Sequence, residues 1–239
     1  MPRFFVDSID SAKAYITGDD ARHIGRSLRM RLGDELIVCC GGIEYNTTID
    51  TISDSEVVCS VISSERSKAE PALSITLYQA MPKGDKLELI IQKCVELGVC
   101  RIVPVLTSRC VSRPDSKSFE KKLTRYQKIA EEAAKQSGRG IIPEISGILS
   151  FDKTISDAKA LDGAIVCYEN GSEPVNNKTV LGKKSIGVFV GAEGGFSEDE
   201  IKRLEENGIL AVWLGQRILR CETAPMAITS ILLHESGDM

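Results

Sequence analysis

Two glycine-bearing exits from strands, close together near the end of the chain, constrain its fold more than any other feature. The first is Ile186-Gly187-Val188-Phe189-Val190 running into Gly191-Ala192-Glu193-Gly194-Gly195. β-Prone residues around one glycine read as a buried strand, and the glycines beyond it mark a tight turn where backbone approaches something closely. The helix that follows is specified by Ser197 and Glu200 at capping-box spacing, by Phe196 and Ile201 at hydrophobic-staple spacing, and by the stop signal Asn207-Gly208. The second exit repeats the layout, with a strand over 210–214, a loop from Gly215 through Glu222, and Thr223-Ala224 opening an apolar helix to about Leu233. Two such exits predict two loops side by side at the carboxyl ends of a sheet, where open α/β sheets bind ligands.

Composition narrows the alternatives. At 239 residues with 42% hydrophobic content the chain can bury a sizeable core and hold one or two domains. Its eight cysteines form no C-x-x-C pair, and His23 and His234 are the only histidines, so no metal-ligand cluster is expected. Reduced thiols of this kind point to a cytoplasmic protein. The start, Met1-Pro2-Arg3-Phe4-Phe5, lacks an apolar signal core, and no stretch approaches the roughly 20 apolar residues of a membrane helix. Net charge is −4, so any nucleic-acid surface has to be local.

Residues 1–68 carry short alternating runs separated by Gly33-Asp34, Gly41-Gly42 and Ser53-Asp54-Ser55, the pattern of a small barrel of hairpins. The exception is 20–31, read as a helix with Arg22, Arg26 and Arg29 on one face and Ile24 and Leu28 on another. A solvated basic face is the commoner meaning of such a run. Arginines concentrated in an otherwise acidic segment, Arg31 among them, also suit phosphate, which the planar guanidinium grips as a fork. Two roles fit His23 equally: stacking on a base and capping the helix. Residues 65–71, charged and ending in Pro71, read as a linker.

From residue 73 the order is strand, helix, strand, which predicts a parallel sheet. The strand 73–80 leads to a helix with Leu87, Ile90, Ile91, Cys94, Val95 and Leu97 at helical spacing, closed by Gly98. Pro104 within 101–106 suggests a sheet edge or a strand end. A long amphipathic helix spans about 117–136, and 141–145 and 163–168 supply further strands. The loop 191–195 is neither a Walker A nor a G-x-G-x-x-G fingerprint, and His234 lies too near the terminus to suggest Ser-His-Asp chemistry.

The two exits together resemble the G-P-E-G-G-(F/L)-S and L-G-x-R-I-L-R-x-E-T-A motifs of bacterial 16S ribosomal RNA uridine-N3 methyltransferases, members of the knotted SPOUT class. Ala192 and Gln216 stand where that pattern has prolines and Cys221 where it has threonine, which predicts looser loops. The runs 22–30, 92–99, 107–110 and 136–139 are also similar, so the resemblance covers nearly the whole chain and is weakest over about 152–184. It implies an α/β fold: a PUA-like, RNA-binding β-barrel over 1–68, then a SPOUT trefoil-knot methyltransferase domain over 73–239. It further implies S-adenosylmethionine (AdoMet) as methyl donor with no metal, a homodimer, no membrane, and 16S rRNA of the small ribosomal subunit as substrate.

Carried onto this sequence, the cofactor would meet Tyr168, Val190, Gly191, Glu193, Gly194, Gly195, Leu214, Gly215, Ile218, Leu219, Arg220, Glu222, Thr223 and Ala224. Uracil N3 is weakly acidic, so Arg220 is the candidate for stabilising charge on the base oxygens. Glu193 or Glu222 would accept the proton or orient Arg220. Each also has a plain structural reading: Glu193 capping a backbone N–H, and Arg220 with Glu222 closing the loop as an ion pair. RNA contacts would come from Arg22, His23, Arg26, Arg29, Arg31, Lys83, Arg109 and Arg139. Two other functions fit the same residues: a SPOUT methyltransferase for another RNA nucleotide, and a non-catalytic ribosome- or RNA-binding protein with a vestigial AdoMet site.

Overall fold

Alternating residues in the first 70 positions form six strands: β1 (Arg3–Phe5), β2 (Ile9–Asp10), β3 (Lys13–Thr17), β4 (Glu35–Cys40), β5 (Ile43–Ile52) and β6 (Glu56–Arg66). A computed structural model describes residues 1–239 and divides them into two units, 1–70 with 134–142, and 71–133 with 143–239. In the first unit the strands order as β1-β4-β5-β6-β3-β2, antiparallel except for β1 beside β4. Register shifts at Asn46/Thr47 and Ile49/Thr51 bend β5 against β6, as bulges do. Phe4, Ile16, Ile24, Leu36, Val38, Ile49 and Val57 fill the core of this unit.

The arginine segment departs from the expected single helix. Helix α1 (Gly18–Arg22) passes into a five-residue π-helical turn, His23–Ser27, in which Leu28 N–H donates to the His23 carbonyl at 2.9 Å. Arg29 then takes a left-handed φ of 53°, which ends the helix and removes Arg29 from the face of Arg22 and Arg26. The expected linker is fastened rather than free. Residue 66 ends β6, Ser67 is buried against Glu44, and the Glu70 carboxylate takes the Arg139 guanidinium and the N–H groups of Gly140 and Ile141.

The second unit contains β7 (Ser74–Ala80), α2 (Lys86–Leu97), β8 (Arg101–Leu106), α3 (Ser116–Ser137), β9 (Glu144–Ile145), β10 (Leu149–Ser150), α4 (Phe151–Ala158), β11 (Ala164–Cys167), β12 (Glu173–Pro174), α5 (Asn177–Val180), β13 (Ser185–Val190), α6 (Glu198–Glu206), β14 (Leu210–Trp213) and α7 (Thr223–Ser236). The last turn of α3 counts with the first unit. The sheet order is β10-β8-β7-β13-β11-β14-β12, with β9 also on β8, and every pairing is parallel. The central strands β7 and β13 are buried along nearly all their length, as strands covered on both faces are.

Pro104 lies within β8, not at an edge or strand end. It pairs with Gln79 on one side, and on the other it falls between the partners of β9 and β10, where the ladder is interrupted. A missing N–H costs least there. No helix of the chain is long and apolar enough to cross a membrane.

Candidate active site

Strands β13, β11 and β14 are neighbours in a parallel sheet, so the loops after Val190, Cys167 and Trp213 leave from one end. The helix after the first loop forms as its signals dictate. Glu200 N–H donates to Ser197 Oγ at 3.2 Å and Ser197 N–H donates to Glu200 Oε2 at 2.9 Å, while Phe196 and Ile201 are both in the core. Glu200 is buried because its other oxygen takes Ser108 N–H at 2.7 Å.

A cleft of about 310 Å³ opens between the exits of β11 and β14. Of the expected cofactor residues, Tyr168, Leu214, Gly215, Ile218, Leu219 and Ala224 line it; Val190, Gly191, Glu193, Gly194, Gly195, Arg220, Glu222 and Thr223 do not. Cys167, Glu169, Gly171, Trp213, Gln216 and Arg217 complete the lining and were missed by the sequence reading. Gly171 was the available signal. A Cβ there would sit 2.5 Å from the Val212 carbonyl carbon, so only glycine lets this turn lie on β14.

The cleft suits a ligand with both polar and flat apolar parts. From Gly215 to Leu219 the backbone N–H and C=O groups make no hydrogen bond within the chain, and residues 215–218 are exposed, so donors and acceptors stand free at the cleft. Gly215 has a φ of 93° and nothing within 4 Å of where a Cβ would be. Trp213 and Tyr168 supply aromatic surface beside these groups. An adenine ring and an amino-acid moiety fit that set of partners.

The glycine loop lies on the other side of β13, among the exits of β7 and β8. Gly191 carbonyl accepts from Gln79 Nε2 at 3.3 Å, Gly194 carbonyl accepts from Arg109 Nη1 at 3.0 Å, and Glu193 Oε1 accepts from Lys83 N–H at 3.1 Å. Gly195 N–H donates to the Ala192 carbonyl at 2.9 Å and closes the turn. A Cβ on Gly191 would meet Gly195 Cα at 2.8 Å, so this closure requires glycine.

The two loops meet at Lys86, which the sequence reading did not single out. Its ammonium lies 3.0 Å from Glu193 Oε1 and 3.3 Å from Glu222 Oε2. Burial pushes the Glu193 carboxyl up, but the hydrogen bonds from Lys86 and from backbone N–H groups outweigh it and leave the group below its ordinary value. Glu222 is also held low, first by the Cys221 thiol donating at 3.2 Å and then by its other partners, Lys86 among them. The Cys221 thiol is pushed up to about 12 by burial and by that hydrogen bond, so it stays neutral.

Glu193 therefore does cap a backbone N–H, whereas the expected Arg220–Glu222 contact is absent: Glu222 is taken by Lys86, and Arg220 is exposed. Neither glutamate is bonded to Arg220.

Of the expected RNA contacts, Arg22 and Arg26 are exposed but engaged, Arg22 with Asp19 and Arg26 Nη2 with Asp54 at 2.5 Å. His23, Arg29 and Arg31 are exposed in the same unit, and the His23 ring sits edge-on to Phe4 at 6.4 Å. Lys83 and Arg109 are exposed in the second unit beside the glycine loop. Arg139 is not available to a ligand. It is 2% exposed, with Nη2 at 2.6 Å from Glu70 Oε2.

The fold and the sequence have counterparts among RNA methyltransferases. Residues 69–233 match the family described as RNA methyltransferase domain, and residues 16–62 match the RNA methyltransferase PUA domain. The chain is 35% identical over 251 residues to Ribosomal RNA small subunit methyltransferase E of Bacillus subtilis, covering 99% of this chain and 97% of that one. It is 32% identical to the protein of the same name from Aquifex aeolicus, with coverage of 87% and 89%. A crystal structure of the Neisseria gonorrhoeae Ribosomal RNA small subunit methyltransferase E, bound to S-adenosyl methionine, superposes with a TM-score of 0.85 at 29% identity over 98% of this chain and 97% of that one. The chain belongs to the ribosomal RNA small subunit methyltransferase E family.

Proposed function

We propose that this chain is an AdoMet-dependent methyltransferase acting on N3 of a uridine in 16S rRNA of the small ribosomal subunit. The observation that carries the proposal is the meeting, at one end of one sheet, of the cleft with unpartnered Gly215–Leu219 backbone and the loop that leads from it to Arg220 and Glu222. Kinship along the full length to small-subunit methyltransferases, one of them bound to the same cofactor, supports both cofactor and substrate class.

AdoMet supplies an activated methyl group on a sulfonium; the residues of the chain bind, aim and manage charge. The backbone of 215–219 with Trp213 and Tyr168 holds the cofactor. Arg220, exposed and without a carboxylate partner, stabilises negative charge developing on the uracil oxygens. Glu193 and Glu222 are ionised at neutral pH and able to take a proton, but their low proton affinity makes them weak bases, so charge stabilisation and positioning carry more of the rate. Arg22, His23, Arg26, Arg29 and Arg31 serve the RNA from the first unit, and Lys83 and Arg109 from the second. A homodimer completes the reading.

Ala192, Gln216 and Cys221 do not favour a vestigial site. The Ala192 turn is closed by its own hydrogen bond, and Cys221 is engaged with Glu222. Trp213 is the single tryptophan of the chain and lines the cleft, so its emission should change on titration with AdoMet. Saturable binding with transfer of a labelled methyl group to unmodified small subunits is the expected result. Binding without transfer to any RNA would overturn the substrate, and no binding would overturn the enzyme.

A further inference from the structure

We propose that Lys86 is a positioning residue that fastens the cleft-bearing loop to the glycine loop, and that the cleft holds its ligand more tightly when this clamp is closed. The inference rests on reading the cleft as the AdoMet site. Lys86 stands in the first turn of α2, outside both glycine-bearing motifs, and its ammonium has three donors to place. Two are within reach of carboxylates on different loops, Glu193 Oε1 at 3.0 Å and Glu222 Oε2 at 3.3 Å, and the third acceptor is Cys221 Sγ at 3.8 Å.

Each carboxylate is then fixed from a second side. Lys83 N–H holds Glu193 at 3.1 Å and the Cys221 thiol holds Glu222 at 3.2 Å. Glu222 is the residue before α7, and α2 packs against α7, so the clamp sits where two packed helices begin. The charged and titratable groups facing Lys86 are Glu193, Glu222 and Cys221, and with the thiol neutral they leave one cation between two anions.

Removing the cation changes the sign of the contact. Two carboxylates that share a partner would face each other without it, and like charges at that range either separate or take up a proton. Separation moves Glu222, and with it the Gly215–Leu219 backbone, which ends three positions before it. The effect would reach the cleft although Lys86 does not line it.

The test uses the full chain and four variants: Lys86→Met, Lys86→Arg, Glu222→Gln and Lys86→Met combined with Glu222→Gln. Carbon-13 carboxyl titration follows Glu193 and Glu222, and calorimetry measures AdoMet binding. Lys86→Met is expected to raise at least one carboxyl above the ordinary glutamate value of 4.5 and to weaken AdoMet binding about tenfold. Lys86→Arg restores both, because its fork spans two carboxylates, and the double variant binds AdoMet better than Lys86→Met alone. A role in folding alone would not produce that recovery.

If both readouts stay at wild-type values in folded Lys86→Met, the clamp is overturned. A shifted carboxyl with unchanged AdoMet affinity overturns the positioning role. Should Lys86→Met fail to fold, Glu222→Gln opens the same contact from the other side; unchanged AdoMet affinity there overturns the proposal and a loss upholds it. Wild-type protein that binds no AdoMet would sink the functional reading instead, and the carboxyl titration would still decide whether the clamp exists.

Discussion

Arg139 lies flat against Glu70, with Nη2 2.6 Å from Oε2 and Nε 3.2 Å from Oε1, in a pocket that leaves the arginine 2% exposed. The same carboxylate takes the N–H groups of Gly140 and Ile141 at 2.9 and 3.1 Å. A basic residue in a segment similar to a methyltransferase motif is thus a brace within its own unit, holding 134–142 to the chain before Pro71.

Arg139→Ala removes a buried guanidinium and leaves the half-buried Glu70 without its cation, so it should destabilise the protein, by less than the roughly 3–5 kcal/mol of a fully buried pair. Urea denaturation reads this directly. RNA affinity per folded molecule should stay unchanged, which separates the brace from a phosphate contact. Loss of RNA affinity at unchanged stability would contradict the assignment.

Asp238 ties the end of the chain to the start of β7 by accepting from Ala72 N–H at 2.8 Å and Leu73 N–H at 3.1 Å. Burial pushes its carboxyl up, but these bonds and the Ser236 hydroxyl outweigh it and hold the carboxyl below its ordinary 3.8. A depressed carboxyl stabilises the fold fully above the unfolded value, and that part is lost as pH falls through the folded one. Asp238→Asn should therefore lower the melting temperature at pH 7 and converge with wild type below pH 3.8, as thermal scans across pH would show.

Gly191→Ala should be poorly tolerated. The added methyl group meets backbone, Gly195 Cα at 2.8 Å and Gly195 C at 3.0 Å, and no flexible side chain can yield. A stability loss of about 1–3 kcal/mol is expected, with the turn between Ala192 and Gly195 opened. Gly195, with φ of 64° and free space where a Cβ would stand, should fail for conformational strain instead. Denaturation and amide exchange at Gly195 distinguish the two.

Much of this organisation was legible from local chemistry. The capping box at Ser197, the staple at Phe196, the stop at Asn207 and the β13 and β14 exits depend on neighbours in sequence, and all appear in place. What was not legible depends on partners far along the chain. Lys86 reads as one charge among many until Glu193 and Glu222 arrive from more than 100 residues away. Arg139 looks exposed until Glu70 is placed beside it. The cleft wall from Cys167 to Gly171 falls where the family resemblance is weakest. The helix over 20–31 failed for a reason its spacing did not carry, since the left-handed Arg29 breaks the periodicity on which a common arginine face depends.

The central claim is that this cleft and Arg220 together deliver a methyl group to N3 of a uridine. The most direct test incubates wild type and Arg220→Ala with AdoMet and unmodified small ribosomal subunits, then digests the 16S RNA and identifies the methylated nucleoside by mass spectrometry. Wild type should yield N3-methyluridine at one site. The variant should bind AdoMet as wild type does while its rate falls about 10²–10³-fold, the cost of removing a group that stabilises developing charge. A methyl group on any other atom would contradict the substrate assignment, and full activity in Arg220→Ala would contradict the chemistry.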